Sequence, residues 1–140
     1  MTETRQTFRV LLIDDAPAVH PTVEAALQDV CEVRAVDNGE AGIQTARQWR
    51  PDVIICDMLM PGLNGYETIQ QLKMSEEVRD VPIILLSGVA DESNSFPGIK
   101  DLVACVISKP FEVGWLRANV AALLPGGGRI SSAARANPQE

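Results

Sequence analysis

Histidine is nearly absent from this 140-residue chain, with His20 standing alone, and aromatic residues make up only 4% of it. A lone histidine is a poor basis for acid–base catalysis, and His20 reads as a surface residue in a first helical turn. So few aromatics leave little to stack a flavin or another planar cofactor. Basic charge is short as well: 12 Lys and Arg face 19 Asp and Glu, a net charge of −7. That balance argues against electrostatic capture of nucleic acid or of an anionic membrane. No apolar run approaches the ~18 residues of a membrane-spanning helix. Arg5 and Arg9 have no apolar signal core behind them, so no secretory signal is visible and a cytoplasmic location is expected. The cysteines Cys31, Cys56 and Cys105 are odd in number and scattered in or beside apolar runs. That pattern fits reduced core thiols better than disulfides or a zinc site.

What the chain does have is the stretch VIICDMLMPGLNG, from Val53 to Gly65. Its opening run, Val53-Ile54-Ile55-Cys56, is short, continuous and β-branched, which suits a strand buried on both faces of a parallel sheet. The run ends at Asp57. A carboxylate where a buried strand emerges is costly unless paired or metal-bound. Pro61-Gly62 and Asn64-Gly65 then mark a loop. Ligands of open parallel sheets bind beyond the carboxyl ends of the strands, which is where Asp57 stands.

The rest of the chain alternates strands with helices. Phe8–Ile13 is a first strand, ending at Asp14-Asp15. Pro17 suits an early helix position, and Val19, Val23, Leu27 and Val30 recur at helical spacing. Pro21 within that pattern predicts a late start or a bend in the first turn. Cys31–Val36 is a second strand, and Asp37-Asn38-Gly39 a turn. Ala41, Ile43, Ala46 and Arg47 belong to a second helix, stopped by Pro51. A third helix spans 66–74, with Ile69 and Leu72 inward. Residues 81–86 form a fourth strand ending at Ser87-Gly88, and 103–107 a fifth ending at Ser108-Lys109-Pro110. The segment 91–101, DESNSFPGIKD, is poor in helix formers and predicts a short or irregular fourth helix. Val113, Leu116, Val120 and Leu123 make the apolar face of a last helix, closed by Pro125. Trp115 lies roughly away from that face, as a partner contact or as a residue of the helix edge. The pattern predicts an α/β fold: a doubly wound five-stranded parallel sheet, flavodoxin-like, in order 2-1-3-4-5, with helices on both faces. The expected domain is 1–124, and 125–140 is expected to be a flexible Gly/polar tail or the start of a linker.

Neighbouring strands of such a sheet bring Asp14, Asp15, Asp57, Ser87 and Lys109 to one crevice. Each pair of acids ~4 Å apart costs about 4 kcal/mol at an effective dielectric near 20. One lysine does not balance three acids; a hard divalent cation with oxygen ligands does, and Mg²⁺ suits a site of one or two carboxylates. A carboxylate beside such a cation and a lysine is placed to attack phosphorus and form an aspartyl phosphate.

These residues, with the loop 60–65 and Lys109-Pro110-Phe111, resemble a receiver domain of the two-component response-regulator family, over roughly 8–124. The resemblance implies that Asp57 accepts a phosphoryl group from the phosphohistidine of a sensor histidine kinase or phosphotransfer protein. It implies that Asp15, Asp57 and the backbone carbonyl of Leu59 bind Mg²⁺ directly, with Asp14 acting mainly through water. Ser87 and Lys109 would bind the phosphoryl group, and Ser87, Gly88, Val106 and Phe111 would carry the switch. The family's aromatic three residues before the lysine is Val106 here, so transmission is expected to run through the loop after Ser87 and segment 91–101. Leu59 and Val89 would flank the phosphoryl site with apolar groups. Implied partners are the kinase, a downstream protein or fused output domain, and a second copy through the fourth-helix/fifth-helix face. No direct nucleic-acid or membrane partner is expected.

Other classes fit less well. A flavin-type carrier needs a phosphate cradle after strand one, where Asp14-Asp15 would repel phosphate. A true phosphohydrolase wants a general acid two residues past the nucleophile, and position 59 is Leu. A docking-only receiver is the remaining alternative.

Overall fold

The computed structural model describes residues 7–88, 96 and 98–126. Five strands, β1 (Phe8–Ile13), β2 (Cys31–Val36), β3 (Val53–Asp57), β4 (Ile83–Ser87) and β5 (Cys105–Ser108), form one sheet in the order β2-β1-β3-β4-β5. Every adjacent pair is parallel. The helices are α1 (Val19–Leu27), α2 (Gly39–Trp49), α3 (Gly65–Lys73), α4 (Ile99–Leu102) and α5 (Val113–Leu123). Architecture and strand order agree with the sequence reading.

Strand alternation builds two cores. Leu11, Ile13, Ile54, Cys56, Ile83 and Leu85 face Ile43, Trp49, Ile69 and Leu72 of α2 and α3. Val10, Leu12, Ile55, Ile84 and Leu86 face Val23 and Leu27 of α1 and Leu116 and Val120 of α5. Because both faces are covered, the β3 run is buried throughout. Each fully buried leucine or isoleucine contributes roughly 1.5–3 kcal/mol relative to exposure. No helix among the described residues is long and apolar enough to cross a membrane.

Several local readings are corrected. Helix α1 begins at Val19 without a late start, because Pro21 occupies the third helical position, where the N–H has no partner within the helix. Pro17 lies in the turn before it, and Val30 lies past its end. Gly39, read as a turn residue, opens α2, because the Asn38 side chain accepts from Ala41 N–H at 2.8 Å and caps it. Asn64 and Glu67 form a reciprocal capping box that starts α3 at Gly65. Val81 and Pro82 precede β4, and Val103 and Ala104 precede β5, which runs on to Ser108. Val113 is exposed rather than inward, since it is the first residue of α5. Trp115 is half-buried against the α1/α5 core, which makes it a helix-edge packing residue. Helix α4 is short, as the composition of 91–101 predicts; most of that segment, with Val89, lies outside the described residues. Residues 127–140 also lie outside them, including most of the expected tail.

Candidate functional site

The carboxyl ends of β1, β3, β4 and β5 lie side by side because the ladder continues past them. Asp14 N–H donates to Val36 O, Met58 N–H to Leu86 O, and Lys109 N–H to Ser87 O at 2.7 Å. These bonds carry Asp14, Asp57, Ser87 and Lys109 to one edge of the sheet. Asp57 is the last residue of β3, and the loop after it is closed by Gly65 N–H donating to Met58 O at 2.6 Å. Gly65 sits so tightly there that a Cβ would lie 2.7 Å from Met58 Cα and collide with the Asp57 carbonyl.

The acids converge as the topology requires. Asp14, Asp15 and Asp57 each offer a carboxylate oxygen within 4.8 Å of the others. Asp14 is fully buried; its Oδ1 accepts from Ala16 N–H at 2.8 Å and its Oδ2 pairs with Lys109 Nζ at 2.9 Å. Lys109 Nζ also lies 3.2 Å from Asp57 Oδ1, so one ammonium bridges two carboxylates. Asp15 is exposed. Burial, then the charge of Asp14, pushes the Asp57 pKa up to about 6, against the pull of Lys109. Burial works against the Lys109 ammonium, but the hydrogen bond to Asp14 and the charges of Asp57 and Asp14 outweigh it and raise its pKa. Three carboxylates against one ammonium leave two negative charges in a partly desolvated crevice. An all-oxygen donor set of that charge fits a hard divalent cation.

The remaining expected site residues are placed as follows. Ser87 is buried at the end of β4, and its carbonyl holds Lys109 in place. Gly88 is exposed, and a Cβ there would meet nothing within 4 Å among the described residues. Leu59 lies two residues past Asp57 with its side chain 55% exposed. Val106 is half-buried against the α2/α3 core, whereas Phe111 packs against the α1/α5 core. Of the four expected switch residues, Val106 and Phe111 therefore sit on opposite faces of the sheet.

Sequence reasoning missed two features. His20 is not a free surface residue: its Nε2 lies 2.6 Å from the Asp14 carbonyl oxygen. Its place in the first turn after the acid pair was the available signal, because that turn folds back over the loop. Tyr66, at the start of α3, packs against Phe96 with ring centroids 5.1 Å apart. Thirty residues separate them in sequence, and no periodicity links them. Cys56 behaves as read: burial holds its thiol protonated and unreactive.

A family model described as the response regulator receiver domain matches residues 10–121. Protein PilH of Pseudomonas aeruginosa is 31% identical over 119 residues, covering 84% of this chain and 98% of PilH. The DNA-binding dual master transcriptional regulator RpaA of Synechocystis is 31% identical over 128 residues, 91% of this chain but 53% of RpaA. The chain thus spans about half the length of RpaA and of some other curated relatives. Among solved structures, the receiver domain of the sensor histidine kinase PA1611 from Pseudomonas aeruginosa superimposes with a TM-score of 0.76 at 26% identity, covering 84% of this chain and 97% of that one. That structure has a magnesium ion coordinated in its active-site cleft.

Proposed function

This chain belongs to the response regulator receiver family, a class of two-component signalling modules, and we propose that it is phosphorylated on Asp57. The observation that carries the reading is the Lys109 ammonium bridging Asp14 and Asp57 inside a cluster of three carboxylates. At neutral pH Asp57 is mainly ionised, since its pKa is about 6, and it is the acid at the mouth of the buried strand. Its carboxylate oxygen attacks the phosphorus of a phosphohistidine; an O–P bond forms, the N–P bond breaks, and the imidazole leaves with the electron pair. Lys109, already beside Asp57, neutralises the oxygens of the transferred group. The Ser87 hydroxyl bonds one of those oxygens. Asp15, Asp57 and the Leu59 carbonyl are the groups that would hold Mg²⁺ directly, with Asp14 acting through water. When bound, that ion supplies the positive charge that the lysine alone does not. Leu59 offers no carboxyl or amide to activate water, so hydrolysis of the aspartyl phosphate is slow.

The reading extends to partners. The phosphoryl donor is a sensor kinase or phosphotransfer protein. The match to nearly the whole length of PilH supports a stand-alone receiver occupying 1–124, and the half-length match to RpaA supports a receiver fused to an output domain. The magnesium ion in the PA1611 receiver supports the choice of metal.

The experiment is intact mass after incubation with Mg²⁺ and a small phosphodonor, for the native chain beside Asp57→Asn. One phosphoryl adduct on the native chain, absent in the variant and blocked by EDTA, is expected. A folded native chain that takes no adduct would replace this reading with docking alone.

A further inference from the structure

His20 stands in the first turn of α1 and reaches back to the loop that carries the acids. A carbonyl oxygen only accepts, so the 2.6 Å contact with Asp14 O requires the proton on Nε2. The other polar groups of Asp14 are held elsewhere: its N–H by Val36 O, Oδ1 by Ala16 N–H, and Oδ2 by Lys109. The carbonyl belongs to the Asp14–Asp15 peptide, which is planar, so fixing it also fixes the N–H and the Cα of Asp15. Asp15 is exposed, so the placement of its backbone bears directly on where its carboxylate lies. Helix α1, moreover, has Ala18 as its N-cap residue and no side-chain cap hydrogen bond. The histidine bond thus anchors the start of α1 to the acid loop.

We propose that His20 is a positioning residue for the metal-binding acids: its Nε2–H, donated to the Asp14 carbonyl, aims the Asp15 carboxylate at the space shared with Asp57. The inference rests on Asp15 and Asp57 being Mg²⁺ ligands. Outer partners of ligating groups set ligand orientation, and losing one weakens metal binding roughly 10-fold or more. Glutamine is the informative replacement. Its Nε2 is as many bonds from Cα as that of histidine and carries N–H donors, whereas the asparagine amide is one bond shorter.

The test is calorimetric titration of the unphosphorylated full chain with Mg²⁺, alongside melting without metal. Native, His20→Ala, His20→Asn, His20→Gln and Asp15→Asn chains are compared. His20→Ala and His20→Asn are expected to bind Mg²⁺ roughly 10-fold more weakly than native, with His20→Gln close to native. A lower melting temperature in His20→Ala with native Mg²⁺ affinity would overturn the proposal, since a purely structural tie behaves that way. If Asp15→Asn loses Mg²⁺ while His20→Ala does not, the inference fails and the metal site stands. If the native chain itself binds no Mg²⁺, both fail. Should the alanine variant not fold, nitrogen NMR of the native chain decides. The Nε2–H resonance of His20 should be observable and shift on Mg²⁺ addition, and an unmoved resonance rejects the proposal.

Discussion

The two halves of the functional edge are built on different physics. On the β1/β3 side, Asp14, Asp15 and Asp57 are held by charge, by backbone hydrogen bonds and by one tight glycine contact. On the β4/β5 side, Ser87 and Lys109 complete the polar site, but Val106 and Phe111 behind them are apolar residues filling two separate cores. The first half is a charged cluster fixed by its backbone. The second is packing, in which one apolar residue can stand in for another, and Val106 stands there where the family resemblance leads one to expect an aromatic. If Asp57 is phosphorylated as proposed, that chemistry and its transmission should be separable, and the variants below should divide along that line.

Lys109 is where the halves meet, and its removal should have the largest effect. Lys109→Met takes away the only ammonium within reach of Asp14 and Asp57 among the described ion pairs. Losing one preorganised charge at a reacting oxyanion costs about 100-fold in rate. Adduct formation from a small phosphodonor, followed by mass, should slow by that order while the fold persists. A rate within a few-fold of native would move the catalytic burden wholly to the acid side. Next comes Gly65→Ala, which strikes the acid side through its backbone. The atoms nearest the new methyl are main-chain atoms of Asp57 and Met58, which cannot rotate away. A loss of about 3 kcal/mol in urea unfolding is expected. The same change at Gly88, on the other side, meets nothing among the described residues and should be near neutral.

Asp57→Asn tests the cost of the acid cluster. The Asp57 pKa rises from 3.8 in the unfolded reference to about 6 in the fold. Between those values the folded state holds a proton that the unfolded state has lost, so stability falls as pH rises through the window. Above it, the ionised Asp57 destabilises the metal-free chain by at most about 3 kcal/mol. Asp57→Asn should therefore be more stable than native at pH 7.5 without Mg²⁺, by about 2 kcal/mol, and gain little at pH 4. Equal stability at both values would show that Lys109 already compensates the charge.

The same division explains what the sequence made legible. Asp57 was visible because a carboxylate at the end of Val53-Ile54-Ile55-Cys56 has no packing explanation, and β-branched runs mark buried strands in any context. Strand order followed from alternation. His20 was misread because its partner is a backbone carbonyl, and carbonyls leave no trace in residue identity. Val113 was misread because a period of 3.6 identifies a helix face, whereas exposure at a first turn depends on where the helix begins. Gly39 was taken for a turn because the capping role of Asn38 is decided by one side-chain hydrogen bond. Charge at strand ends is written in the sequence; caps and long-range apolar contacts are settled only by the fold.

The smallest effect tests the apolar half. Tyr66 is the second residue of α3, just after the loop that leaves Asp57, and Phe96 precedes α4. Their rings meet at 5.1 Å and a 35° tilt, on the same core that receives Val106. With valine at 106, this pair is the aromatic contact joining the acid loop to the β4/β5 side among the described residues. A double-mutant cycle of Tyr66→Leu and Phe96→Leu keeps apolar volume and removes the ring–ring interaction. Its coupling should be about 1 kcal/mol in the unphosphorylated chain, the usual size for an aromatic pair. If the pair transmits the state of Asp57, the coupling should change once Asp57 carries a phosphoryl group or a fluoroberyllate mimic. An unchanged coupling would confine the pair to packing and leave Lys109 as the ion-paired side chain that links the two halves of the edge.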